Sequence, residues 1–207
     1  TQWLNGRGGI EADLTVTRLS HDVFFIVTSG SSQVRDFNWL KCQVSSGAHC
    51  ILTDVTSSMA VLGLHGPKSR SFLQSLTHED LSNEAFPLGV SKEIDLGYAF
   101  VRASRISYMG ELGWELYIPT EFSFSVYDKI VEVGVEKDLK HAGAHAMNSL
   151  RIEKAYRHWG HDITDKETPL EAGLEFAVDW NKSQGFIGRD ALIRQKEEGI
   201  KRCLVQF

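Results

Sequence analysis

The sequence predicts an α+β domain with mixed and antiparallel sheets and packed helices. Two observations lead there. Stretches of period-two alternation lie near residues 10–27, 50–64 and 90–118, and stretches of helical period near 30–44, 66–76, 122–134, 145–156 and 188–198. They come in runs rather than in strict strand–helix alternation, which argues against a doubly wound parallel sheet.

The composition is that of a folded chain. Of 207 residues, 42% are apolar and 10% aromatic, and 22 Lys+Arg face 27 Asp+Glu for a formal net charge of −5. So many apolar residues with so little net charge exclude intrinsic disorder. No run approaches the ~18 uninterrupted apolar residues of a membrane span. At a sequence pI of about 5.9 the chain lacks the clustered Lys and Arg that bulk nucleic-acid binding needs. Cys42, Cys50 and Cys203 are too few and scattered for a disulfide framework, and no CxxC or His spacing offers a metal site. They read as small apolar residues in a reducing compartment.

Along the chain, Trp3-Leu4 is expected to pair as a hairpin with a half-buried strand over Ile10–Leu19, across the turn Asn5-Gly6-Arg7-Gly8-Gly9. Ile10, Ala12, Leu14 and Val16 would face the core and Glu11, Asp13, Thr15 and Thr17 the other side. His21-Asp22 makes a second turn into the strand Val23–Val27. Ser29-Gly30-Ser31-Ser32 opens a helix to about Val44, with Val34, Phe37 and Leu40 inward. Strands follow at Cys50–Val55 and Met59–Leu64. A helix then starts at Gly66 with Pro67 at its first position and Phe72, Leu73 and Leu76 inward. Tyr98–Ser107 and Trp114–Ile118 read as paired strands. Phe122, Val126, Ile130 and Val133 mark a helix ending near Gly134, and His145–Tyr156 another, with Met147, Leu150, Ile152 and Ala155 inward. Thr168–Val178 reads as irregular then extended, Gly188–Glu198 as a charged helix, and Cys203–Phe207 as a strand without a partner. The chain is expected to start inside a folded unit: residues 1–200 form one domain, and 201–207 lead into a further barrel.

Two places suit chemistry. Asp13 is a carboxylate within an alternating strand: either an exposed strand acid or one on a cavity wall, able to accept a proton. In Tyr108-Met109-Gly110-Glu111-Leu112-Gly113-Trp114-Glu115, two glycines in four residues mark a bend where backbone passes close to another group. Glu115 then sits between Trp114 and Leu116. It is either a solvated hairpin acid or an acceptor-only group for the donors of a 2-amino-4-oxopyrimidine edge. His158-Trp159-Gly160-His161-Asp162 reads as packing and loop. Gly66-Pro67-Lys68-Ser69-Arg70 lacks the long glycine-spaced loop of a phosphate site.

Several segments carry a resemblance: 4–16 (Leu4-Asn5-Gly6-Arg7-Gly8-Gly9 through Asp13-Leu14-Thr15-Val16), 105–116, Ala146-Met147-Asn148-Ser149-Leu150-Arg151-Ile152-Glu153-Lys154, Thr168-Pro169-Leu170-Glu171-Ala172-Gly173-Leu174 and Phe186-Ile187-Gly188-Arg189-Asp190-Ala191-Leu192. In this order and over nearly the whole length, the chain resembles the folate-binding aminomethyltransferases of the glycine cleavage T-protein kind. It is most similar to the tetrahydrofolate half of FAD-dependent sarcosine and dimethylglycine dehydrogenases. The resemblance implies the aminomethyltransferase fold around a central folate cavity. It implies Asp13 as the catalytic carboxylate beside N10 of tetrahydrofolate, Thr15 as a folate contact, Glu115 as the holder of the pterin's amino-pyrimidine edge and Tyr108 as a lining residue.

The implied reaction is folate-dependent one-carbon transfer. A flavin domain elsewhere in the protein, carrying FAD, oxidises an N-methyl amine to an iminium, which tetrahydrofolate captures as 5,10-methylenetetrahydrofolate. Expected partners are the folate, the amine donor and that flavin domain, with no nucleic acid and no membrane. The compartment would be the mitochondrial matrix in a eukaryote and the cytoplasm in a bacterium. Met147 stands where the T-protein has an Arg, which argues against a glycine-cleavage role. The competing expectation is a non-catalytic regulator, because the pyruvate dehydrogenase phosphatase regulatory subunit resembles the same family. The standing Asp13 and Glu115 favour the enzyme.

Overall fold

A computed structural model describes residues 1–207. In chain order the elements are β1 (Gln2–Leu4), β2 (Ile10–Asp13), β3 (Thr15–Arg18), β4 (Phe24–Val27), α1 (Gln33–Gln43), β5 (Met59–His65), α2 (Ser69–Gln74), β6 (Ser91–Leu96), β7 (Ala99–Ser104), β8 (Gly113–Pro119), α3 (Ser123–Glu136), α4 (Ala144–Glu153) and α5 (Arg189–Glu198). The chain forms two compact units, one of residues Thr1–Leu52 with Arg157–Phe207 and one of Thr53–Tyr156. No helix is long and apolar enough to cross a membrane.

In the first unit β1 and β2 pair antiparallel, as do β3 and β4. The β1–β2 turn is fixed by Asn5, whose Oδ1 accepts the N–H groups of Arg7 and Gly9 at 2.9 and 3.0 Å. Gly8 supplies the positive φ of 81° that a side chain would resist. Leu4, Ile10, Ile163, Leu170, Ala172, Leu174 and Leu192 form the core. Trp3 of β1 stacks on Trp39 of α1 at 5.0 Å. Arg35 of α1 pairs with Glu11 at 2.6 Å and lies 4.3 Å over Trp159, whose Nε1–H donates to Ile10 O.

The second unit is a four-stranded antiparallel sheet in the order β5-β8-β7-β6. Period two sorts its side chains by face. Leu64, Ile94, Val101, Ala103, Trp114, Leu116 and Ile118 point one way and pack with Phe72 and Leu73 of α2 and Val126 and Ile130 of α3. Gly63, His65, Ser104, Gly113, Glu115 and Tyr117 occupy the opposite, polar face, where Gly63 lies opposite Glu115 and Glu115 opposite Ser104.

Several elements depart from the sequence reading. The single strand expected over Ile10–Leu19 is two: β2 pairs with β1 as far as Asp13, β3 pairs with β4 from Thr15, and the partner changes at Leu14. Leu14 stays buried, whereas Val16 is 42% exposed, so the alternation does not run through. Cys50–Val55 forms no strand, α2 begins at Ser69 rather than at Pro67, and Thr168–Val178 is turns and one 3-10 turn rather than extended chain. Val34 is 73% exposed; the buried residue of α1 is Asp36, held by Ser32 Oγ–H at 2.6 Å. In α4 Met147 and Ile152 face solvent and Arg151, 2% exposed, is the inward residue. Its Nε and Nη2 donate to Asn148 Oδ1 at 2.9 and 2.6 Å and its Nη1 to Tyr156 O at 2.9 Å. Cys203–Phe207 has no regular structure; Leu204 N–H bonds Glu171 O, but no strand lies beside it. All three cysteines are free and exposed.

Candidate functional site

Asp13 closes β2 opposite Gln2 of β1, and Gln2 Nε2–H donates to its Oδ1 at 2.9 Å. It is half-buried between the buried Ala12 and Leu14. Thr15, also half-buried, opens β3 opposite Val27. The residue between them is held by two main-chain bonds: Leu14 N–H bonds Thr1 O at 3.0 Å, and Thr1 N donates to Leu14 O at 2.9 Å. Asp13 and Thr15 flank this strand break. A cleft of about 470 Å³ opens in the same unit, lined among others by Gln2, Trp3, Val16, Trp39 and Phe186. Its wall includes Gln2, whose amide holds Asp13, although not Asp13 itself.

Tyr108 and Glu115 belong to the second unit. The loop between β7 and β8 is bound at both ends of its bend. Leu112 O accepts Gly66 N–H at 2.8 Å and Ser69 Oγ–H at 2.9 Å. Gly110, at φ 67°, presses on the Lys154 methylenes, 2.5 Å from where a Cβ would stand, and Lys154 Nζ reaches Glu111 at 3.8 Å. The close approach expected of the two glycines is thus observed at both. The Tyr108 ring lies 6.5 Å from that of Tyr156.

Glu115 is half-buried on β8 and Tyr117, two residues on and on the same face, is 2% exposed. Tyr117 Oη–H donates to Glu115 Oε2 at 2.5 Å. Burial, and then the Glu115 carboxylate, push the phenol far above its ordinary range, so Tyr117 remains a donor at any physiological pH. Across the ladder, the His65 ring fills the space that side chains at 63 and 113 would need. Its Nδ1 is buried without a hydrogen-bond partner, and burial holds its pKa below the ordinary 6.5. The face therefore carries a carboxylate held by Tyr117 and, diagonally across the β5–β8 ladder, an imidazole whose charged form burial disfavours.

The structure thus keeps Asp13 near Thr15, and Tyr108 near the strand that bears Glu115, with each pair in its own unit. Sequence reasoning missed Tyr117 and His65. Period two from Glu115 points to Tyr117, whereas His65 becomes visible only once the β5–β8 register is known.

The GCVT N-terminal domain model matches residues 1–182. Mitochondrial dimethylglycine dehydrogenase of Homo sapiens is 41% identical over 203 residues, which is 98% of this chain and 23% of that protein's length. The mitochondrial pyruvate dehydrogenase phosphatase regulatory subunit of Mus musculus is 37% identical over 208 residues, all of this chain and 24% of that protein. The crystal structure of glycine cleavage system aminomethyltransferase T from Bartonella henselae superposes with a TM-score of 0.83 at 27% identity, covering 98% of this chain and 53% of that one. The expected fold is confirmed, and the chain belongs to the GCVT N-terminal domain family as an aminomethyltransferase-like domain related to dimethylglycine dehydrogenase.

Proposed function

We propose that this domain binds tetrahydrofolate and uses it to capture the one-carbon unit of an iminium, formed when sarcosine or dimethylglycine is oxidised, as 5,10-methylenetetrahydrofolate. The observation that carries this reading is the Glu115 carboxylate, half-buried with Oε2 fixed by Tyr117, which leaves Oε1 and the second lone pair of Oε2 for a ligand's donors. An acceptor-only group held in that way fits a planar edge that presents N–H donors, as an amino-pyrimidine does. When bound, the folate would supply N5 as nucleophile toward the iminium carbon and N10 as the nitrogen that closes the ring as the demethylated amine leaves.

The chain's own residues bind, orient and move a proton. Glu115 takes the donors of the pterin edge, Tyr108 lines the ring and Thr15 contacts the folate. Asp13, oriented by Gln2, accepts the proton lost from N10. Holding both reactants in one site replaces an encounter in solution. The oxidation belongs to an FAD domain of the longer protein.

Asp13→Asn keeps an oxygen for Gln2 but loses the base. In the full-length protein it should leave tetrahydrofolate binding nearly intact and slow single-turnover methylene transfer by about 10²–10⁴. An unchanged transfer rate would remove Asp13 from this role. Calorimetric titration with tetrahydrofolate separates the enzyme from a regulatory domain: micromolar binding supports the first, and no binding supports the second.

A further inference from the structure

We infer that His65 is a second polar contact of the Glu115 site, donating Nε2–H to the carbonyl oxygen beside the N–H groups that Glu115 takes. This rests on the folate reading and deepens it, because it says why a 4-oxo ring would be chosen over a 4-amino one. The register sets the geometry. His65 stands opposite Gly113 and Gly63 opposite Glu115. With no side chain at either glycine, the imidazole lies along the sheet toward Glu115, and its Nε2 is 2.8 Å from where a Gly63 Cβ would be. Opposed Cβ atoms are about 4.5–5.5 Å apart, so Nε2 lies within about 8 Å of the Glu115 Cβ position, near enough for one heterocycle edge to meet both groups.

The ring's protonation follows from its surroundings. A neutral imidazole carries one proton, and Nδ1 is buried with nothing to bond. An orphaned lone pair is tolerated more readily than an orphaned N–H, which puts the proton on Nε2 and makes His65 a donor. Burial lowers its pKa and supports the neutral form. Glu115 and His65 then read acceptor, then donor. The complementary edge is donor, donor, acceptor, as in the 2-amino, N3–H and 4-oxo groups of a pterin. A 4-amino ring would set a donor against a donor, a mismatch that costs more than a missing contact.

The test is a two-ligand, three-variant titration of the full chain with tetrahydrofolate and its 4-amino-4-deoxy analogue. Wild type should prefer the 4-oxo compound. His65→Ala should shrink that preference about tenfold, by weakening tetrahydrofolate and by relieving the mismatch with the 4-amino compound. His65→Gln, whose amide can donate, should keep most of it, and circular dichroism checks that both variants fold. The comparison is a double difference, so the part of the preference that Glu115 sets cancels. An equal preference in wild type and His65→Ala would overturn the inference while leaving the folate reading intact. If wild type binds neither compound, or Glu115→Gln binds tetrahydrofolate as well as wild type, the folate reading falls and this inference with it.

Discussion

Tyr117 shows how much a single side chain does on the polar face. Its hydroxyl is buried and bonded to a carboxylate, an arrangement that stabilises more than a neutral pair. Tyr117→Phe keeps the ring but leaves Glu115 with one bond fewer and free to change rotamer. The expected stability loss is about 1–2 kcal/mol by urea denaturation. Tetrahydrofolate binding should weaken as well, since the ligand must then order the carboxylate itself. Equal stability and affinity in Tyr117→Phe would show that the strand backbone alone orients Glu115. Glu115→Gln tests the other partner: an amide offers one acceptor where the carboxylate offers two, and binding should fall about tenfold or more.

At the level of elements, the β5–β8 pair depends on its glycines in two different ways. A Cβ at Gly113 would run into Leu64 O, which is backbone, as well as the His65 ring. Gly113→Ala should therefore cost about 1–3 kcal/mol, because the strands cannot part without losing the ladder. A Cβ at Gly63 would meet only the His65 side chain, at 2.8 Å from Nε2 and 3.0 Å from Cδ2. Gly63→Ala should barely change stability and should instead displace the imidazole, which a shift of the His65 ring resonances in NMR would report. Local pattern made much of this scaffold legible. Alternation in Trp114–Ile118, the turn chemistry of Asn5–Gly9 and the helical spacing of Val126 and Ile130 are each a local signal. Failures came where tertiary partners outvote pattern: Leu14, where one strand changes neighbours, and α4, where the buried residue is Arg151, bonded to Asn148, rather than Met147 or Ile152. The candidate site divides likewise. Asp13 and Glu115 stand out as acids among apolar neighbours, whereas His65 gains meaning only from a residue 50 positions away, through the strand pairing.

The molecule as a whole should respond to acid in two stages. In the second unit, burial depresses the His65 pKa below the ordinary 6.5. The unfolded chain then binds a proton that the folded one resists, so stability is full above about pH 6.5 and falls as the pH drops through the folded value. In the first unit, the Thr164 hydroxyl, and behind it the Thr164 N–H and Arg202, hold the Glu167 carboxyl below its ordinary 4.5 against an opposing burial effect. For Glu171 burial acts upward and is outweighed by the Arg202 bond at 2.9 Å and by Thr168. These groups stabilise the fold above about pH 4.5, and their contribution goes as pH falls through the depressed values. Hydrogen exchange should therefore show amide protection in β5 and β8 declining as the pH falls below about 6.5, while residues 164–174 hold until below about pH 4.5. His65→Gln should abolish the early stage and leave the late one. If β5 and β8 lose protection equally in wild type and His65→Gln over that upper range, His65 titrates as a solvent-exposed imidazole, and the neutral donor on the polar face is lost with it.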